Sequence, residues 1–94
     1  MKLVRRDFRA WLESQEPHET VGRKDNIYHC PLAEYIHKLN PQTVPSVTAM
    51  GYRLDRSAPP RRSLPKWART FVENIDRSDH RYISAQEALE ILDR

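Results

Sequence analysis

Four groups of residues in this chain of 94 carry side chains that can do chemistry. The first is His29-Cys30-Pro31. Proline suits the first position of a helix, where a missing N–H leaves nothing unpaired. A thiol at such a position can be held as thiolate by free backbone N–H groups. A Cys–His nucleophile also needs a third group to orient the base, and the sequence marks none, so Cys30 is expected to be a packed thiol. The second group is His18, His29, Cys30 and His37, four side chains of zinc-binding type. Zinc sites pair their ligands at short spacings, commonly two cysteines two to four residues apart; these four are scattered, and neither metal nor cofactor is expected. The third group is basic. Arg53, Arg56, Arg61, Arg62, Lys66 and Arg69 stand against one carboxylate, Asp55, giving residues 53–69 a local charge of +5. Such cations neutralise phosphates or carboxylates, and Tyr52 and Trp67 offer rings that can stack on bases.

A fourth constellation lies near the end. Asp76-Arg77-Ser78-Asp79-His80-Arg81-Tyr82-Ile83-Ser84-Ala85-Gln86-Glu87 has the length of an EF-hand calcium loop with helical sequence on either side. Over this stretch the chain resembles the EF-hand family. The resemblance places Asp76 at loop position one, Ser78 at three, Ser84 at nine and the bidentate closing glutamate at Glu87. Position five holds His80, a nitrogen ligand for a hard cation, and position six holds Arg81, where the family turns on glycine. The resemblance therefore implies a degenerate EF-hand-like helix–loop–helix over residues 76–87 with weak or no calcium binding. The same residues describe a helix–turn–helix whose second helix is capped by Ser84 and Glu87 as a capping box. A DNA-reading second helix carries Arg, Lys, Gln or Asn near its start; here Gln86 is followed by Glu87 and Glu90, which suits DNA poorly.

The elements that must position these groups can be read from periodicity. Val4, Phe8, Trp11 and Leu12 form one apolar stripe, which predicts a helix from Lys2 to Ser14, stopped by Glu16-Pro17. Pro31 opens a second helix whose stripe is Leu32, Tyr35, Ile36 and Leu39, stopped at Asn40-Pro41. Residues 47–54 read as one extended segment with Met50, Tyr52 and Leu54 on one face, paired with Ile27-Tyr28. Gly51 weakens that strand or marks a bulge. Ser57 to Ser63 reads as a surface loop. Pro65 opens the third helix, with Trp67 and Phe71 as core anchors on the stripe Leu64, Trp67, Ala68, Phe71, Val72 and Ile75. The fourth begins at Ser84 and faces the core with Ala85, Ala88, Leu89 and Leu92. The fold class is α+β, mainly α: about four short amphipathic helices with a small extended or two-strand element between the second and third. Gly22 reads as a turn in the connector between the first two helices.

Size and composition set outer bounds. A chain of 94 residues makes one domain, residues 1–94. A single cysteine excludes an internal disulfide. No apolar run approaches the ~20 residues needed to cross a bilayer, and the N-terminus is charged from Lys2 onward, so a cytoplasmic protein with no membrane role is expected. Net charge is +3, while residues 70–94 carry three arginines against six carboxylates, a local −3. No catalytic set emerges. The expected function is a small non-enzymatic protein-interaction or regulatory module, an inhibitor for instance, that docks an acidic protein partner through residues 53–69. The alternative is nucleic-acid binding through phosphate contacts by the same segment. Tyr52 and Tyr82 are the aromatic side chains expected at the surface as anchors.

Overall fold

The structure, a computed structural model, describes residues 2–55 and 61–94. Its elements run α1 (Arg5–Glu13), β1 (Thr20–Arg23), α2 (Pro31–Leu39), β2 (Ser46–Thr48), β3 (Gly51–Arg53), α3 (Lys66–Ile75), β4 (Tyr82–Ser84) and α4 (Ala85–Leu92). Four helices and two small antiparallel sheets make the α+β, mainly helical fold that the periodicity predicts, and the β2–β3 sheet lies between α2 and α3.

The helices sit where their apolar stripes put them. α1 starts later than its stripe suggests, because Val4 is extended (φ −117°, ψ 124°) and serves as N-cap, while Leu3 is buried before the helix begins. α2 begins at Pro31 as expected, with Asn40 as C-cap. Pro65 is the N-cap of α3, and its carbonyl accepts from the N–H groups of Ala68 and Arg69 at 3.0 and 3.1 Å. Ser84 caps α4 through a 3.1 Å bond from the Glu87 N–H to its Oγ.

The core forms around Phe8, which is fully buried and contacts four other rings. Ring centroids lie 5.0 Å away for Phe71, 5.2 Å for Tyr35, 5.7 Å for Trp67 and 6.0 Å for Trp11. Phe71 and Tyr35 meet Phe8 edge to face, an arrangement favoured by the ring quadrupole beyond area alone. Leu12, Leu32, Ile36, Ile75 and Ile83 complete the interior. Arg5 clasps α1 to α4 by donating to the Leu92 carbonyl at 3.0 Å and to Asp93 Oδ1 at 2.9 Å, and Arg9 donates to Asp93 Oδ2 at 2.7 Å. A guanidinium on the last carbonyls of a helix complements its negative end.

The sheets differ from the sequence expectation in two ways. Residues 47–54 do not make one strand. The chain turns at Ala49-Met50, and β2 folds back on β3 with Ser46 facing Arg53, Val47 facing Tyr52 and Thr48 facing Gly51. Thr48 Oγ1 accepts from the Met50 N–H at 3.1 Å and fixes that turn. The turn breaks the alternation, so Met50 is 82% exposed while Tyr52 is 5% exposed. The expected pairing with Ile27 survives as one bond, from the Val47 N–H to the Ile27 carbonyl at 2.7 Å. Second, β1 and β4 form a sheet across the two halves of the chain, with Gly22 opposite Ile83 and a bulge after Thr20. Gly22 lies in this strand rather than in a turn. A Cβ there would come within 2.7 Å of the Cys30 carbonyl carbon and the Pro31 ring, so only glycine lets β1 approach the start of α2 so closely.

Candidate functional site

Of the six basic residues from 53 to 69, five are described and Arg56 lies outside the described residues. The fold divides the five. Arg53 is half-buried, and its Nε is out of solvent with no acceptor among the described residues. Arg61 is half-buried too, and its Nη1 reaches 3.5 Å toward the hydroxyl of buried Ser46. Arg62, Lys66 and Arg69 are exposed. The backbone of Arg62 is fixed by reciprocal bonds with Tyr52 at 2.8 and 2.9 Å, so part of the segment expected as a loop is held as a third strand-like piece beside β3. Lys66 and Arg69 follow on the first turns of α3, three residues apart and so on one face.

These three cations make no ion pair among the described residues. Elsewhere the arginines of α1 are engaged: Arg5 and Arg9 with Asp93, Arg9 also with Glu13 at 2.9 Å. The first turn of α3 holds no acidic residue. A helix N-terminus carries partial positive charge, so lysine and arginine there add to a field that an incoming anion would relieve.

Of the two tyrosines expected at the surface, Tyr82 is exposed and Tyr52 is not. Tyr52, taken as a contact residue, is buried against the core and presents no face to a partner. The physical reason is the turn at Ala49-Met50, which points Met50 outward instead. Trp67 is half-buried and packs on Phe8. Tyr82 is 53% exposed, with the Arg23 guanidinium 5.3 Å from its ring centroid.

Sequence reasoning missed a cleft that Lys66 helps to line. It is about 420 Å³ in volume and lies where the start of α3 meets the end of α4. Arg5, Lys66 and Arg94 line it, all exposed, together with the half-buried Trp67. The buried Ile91 and Leu92 form its apolar floor, and no acidic side chain among the described residues lines it. Arg94 is 28 positions beyond Lys66, so no local spacing could have joined them.

The 76–87 loop has the helix–loop–helix shape, and β4 spans its positions seven to nine with Ile83 fully buried at eight. Several of its oxygens are engaged by the chain itself. Glu87 accepts from Ser78 Oγ and pairs with His80 Nδ1 at 2.9 Å. Asp76 Oδ1 accepts from the Asp25 N–H at 3.0 Å, and the Lys24 ammonium donates to the Ser78 carbonyl at 2.5 Å. The Glu87 carboxylate thus turns into the loop instead of closing the reciprocal half of a capping box.

Cys30 is buried, and burial pushes its thiol up to about 11, against a smaller opposing effect of N–H groups from Ala33 and Leu32. Such a group is a protonated thiol near neutrality and a poor nucleophile. His29 turns away to Glu34 Oε1 at 2.8 Å. His18, His29, Cys30 and His37 form no cluster of three or more candidate metal ligands among the described residues. No helix among them is long and apolar enough to cross a membrane. No protein-family model, curated protein or solved structure matches the chain.

Proposed function

We propose that this domain is a non-enzymatic interaction module that docks an acidic protein surface through Arg62, Lys66 and Arg69. The observation that carries the reading is the contrast among its cations. Those at the entrance to α3 are exposed and unpaired among the described residues, on rigid backbone, whereas those of α1 are tied to carboxylates. Ordered but unpartnered cations steer an anionic partner and fix its orientation. With Tyr52 in the core, the half-buried Trp67 is the one partly open ring near these cations among the described residues, too little for a run of stacked bases, which favours carboxylates over single-stranded nucleic acid as the counter-charge. The 76–87 loop serves in this reading as an internally bonded brace between the halves, not as a calcium sensor.

A photo-crosslinking amino acid at Thr70, beside Arg69 on α3, tests the proposal in extract from the source cells. The expected result is a discrete, nuclease-resistant protein adduct that maps to a carboxylate-rich segment and is lost in the Arg62→Glu/Arg69→Glu double variant. A nuclease-sensitive adduct, or one indifferent to the charge reversal, overturns it.

A further inference from the structure

We infer that the cleft between α3 and α4 is a pocket for an apolar side chain of an acidic peptide, one bulky residue flanked by carboxylates. This deepens the docking reading above and rests on it. Arg62 and Arg69 offer charge alone, and charge gives on-rate and orientation with little discrimination among acidic partners. The cleft adds what selects one. Its volume, about 420 Å³, lies in the range of sites that take a discrete group. Trp67 lies in the cleft half-buried, and its indole N–H makes no hydrogen bond among the described residues. Ile91 and Leu92, buried in the core, close the floor beneath it, so the apolar surface open to a guest is chiefly that of Trp67.

The charge arrangement fixes the chemistry of the occupant. Every ionised side chain lining the cleft is a cation: Arg5, Lys66 and Arg94. Arg5 already serves Leu92 and Asp93, which leaves Lys66 and Arg94, exposed and outside the ion pairs among the described residues, on the walls contributed by α3 and α4. A purely apolar guest would leave these charges unanswered, and a small anion would leave the Trp67 surface uncovered. A bulky apolar residue with carboxylates on both sides satisfies both at once. Tryptophan and arginine are also the side chains most enriched where binding energy concentrates. Lys66 belongs to both surfaces, so one acidic partner can lie along the exposed cations and seat its anchor in the cleft.

The test uses the whole domain and two synthetic peptides of equal charge, acetyl-EEDFDEE-amide and acetyl-EEDSDEE-amide, titrated into isotope-labelled protein and followed by backbone and indole NMR signals. The expected result is at least a fivefold tighter dissociation constant for the phenylalanine peptide, with the largest shifts at the Trp67 indole, Thr70, Ile91 and Leu92. The Lys66→Glu/Arg94→Glu variant, which changes only exposed side chains, should weaken that peptide at least tenfold while leaving the other dispersed signals in place. Equal affinity for the two peptides, with shifts confined to Arg62 and Arg69, overturns the pocket and leaves the docking face standing. No binding of either peptide at low salt overturns both. An oligonucleotide that displaces the peptide from the Trp67 signal at physiological salt, or a dimer dissolved by the same double variant, assigns the cleft to a nucleic acid or a second copy and overturns the inference.

Discussion

Glu87→Ala separates a braced loop from a calcium site, because the two make opposite demands on the same carboxylate. In the structure Glu87 accepts from Ser78 Oγ and pairs with His80 Nδ1 at 2.9 Å, and it is itself only 21% exposed. Each such bond contributes about 0.5–1.5 kcal/mol net. The His80 bond lies toward the low end because that ring is 72% exposed. Losing both costs roughly 1–3 kcal/mol, and in a domain of this size each kcal/mol lowers Tm by about 4–8 °C. Glu87→Ala should therefore melt roughly 5–20 °C below the parent, and Glu87→Gln, which keeps one acceptor oxygen, should fall between. The Ser84 cap survives both changes, since it uses the residue-87 backbone N–H. A calcium site would behave differently: at a hundredfold excess over Kd an ion adds about 2.7 kcal/mol. Melting curves followed by circular dichroism in millimolar calcium and in chelator decide the matter. A parent Tm that climbs by ~10 °C or more with calcium, in a way Glu87→Ala abolishes, would refute the brace.

Three further outcomes follow from other parts of the fold. Gly22→Ala pushes a Cβ into the backbone of Cys30 and Pro31; overpacking of this kind costs about 1–3 kcal/mol, and an unchanged melting temperature would mean that β1 does not approach α2 as described. With its thiol up at about 11, Cys30 is only ~0.1% thiolate at pH 8, so a disulfide reagent should label the folded protein orders of magnitude more slowly than the denatured one; rapid stoichiometric labelling of folded protein would contradict its burial. Hydrogen bonding from Arg9, then its charge and Arg5, hold the Asp93 carboxyl below the usual aspartate range. Its contribution to stability is thus present above the unfolded value of about 3.9 and lost as pH falls through the lower folded value. The carboxyl should titrate by NMR below that reference, and Asp93→Asn should remove the corresponding loss of stability in acid; an unshifted midpoint would show that the clasp is not formed in solution.

The helices were legible because their signals are local. Pro31, Pro65 and Ser84 mark three starts directly, and the stripes through Phe8, Leu32 and Phe71 name the faces that reach the core. The strands were not, for the converse reason. β1 and β4 are four and three residues long and persist through pairing with a segment far away in sequence, so Thr20–Arg23 alone carries no strand signal. Alternation over Met50, Tyr52 and Leu54 misled because it assumes an unbroken strand, and a two-residue turn reverses which side chain faces inward. Charge clustering from Arg53 to Arg69 was visible, but its division into tethered and outward cations depends on Ser46 and on the Tyr52–Arg62 bridge. The cleft was invisible because Lys66, Trp67 and Arg94 meet only through the packing of α3 on α4.

The β1–β4 sheet bears on how the chain reaches this state. Thr20 meets Ser84 across 64 positions of sequence, and α1 meets α4 across a still longer span. Closing a loop of that length costs roughly 1.6 kcal/mol more than closing one of ten residues, and that cost falls due before the long-range contacts can repay it. Each half completes the other's core: Phe71 closes the ring cluster that Phe8 makes with Trp11 and Tyr35, and the strand holding Ile83 pairs with the strand holding Gly22. Removing α4 would uncover the core faces of α1 and α3 that pack against it. Pairing of the two ends thus places this domain among those whose folding is slowed by non-local contacts, despite its mostly helical content.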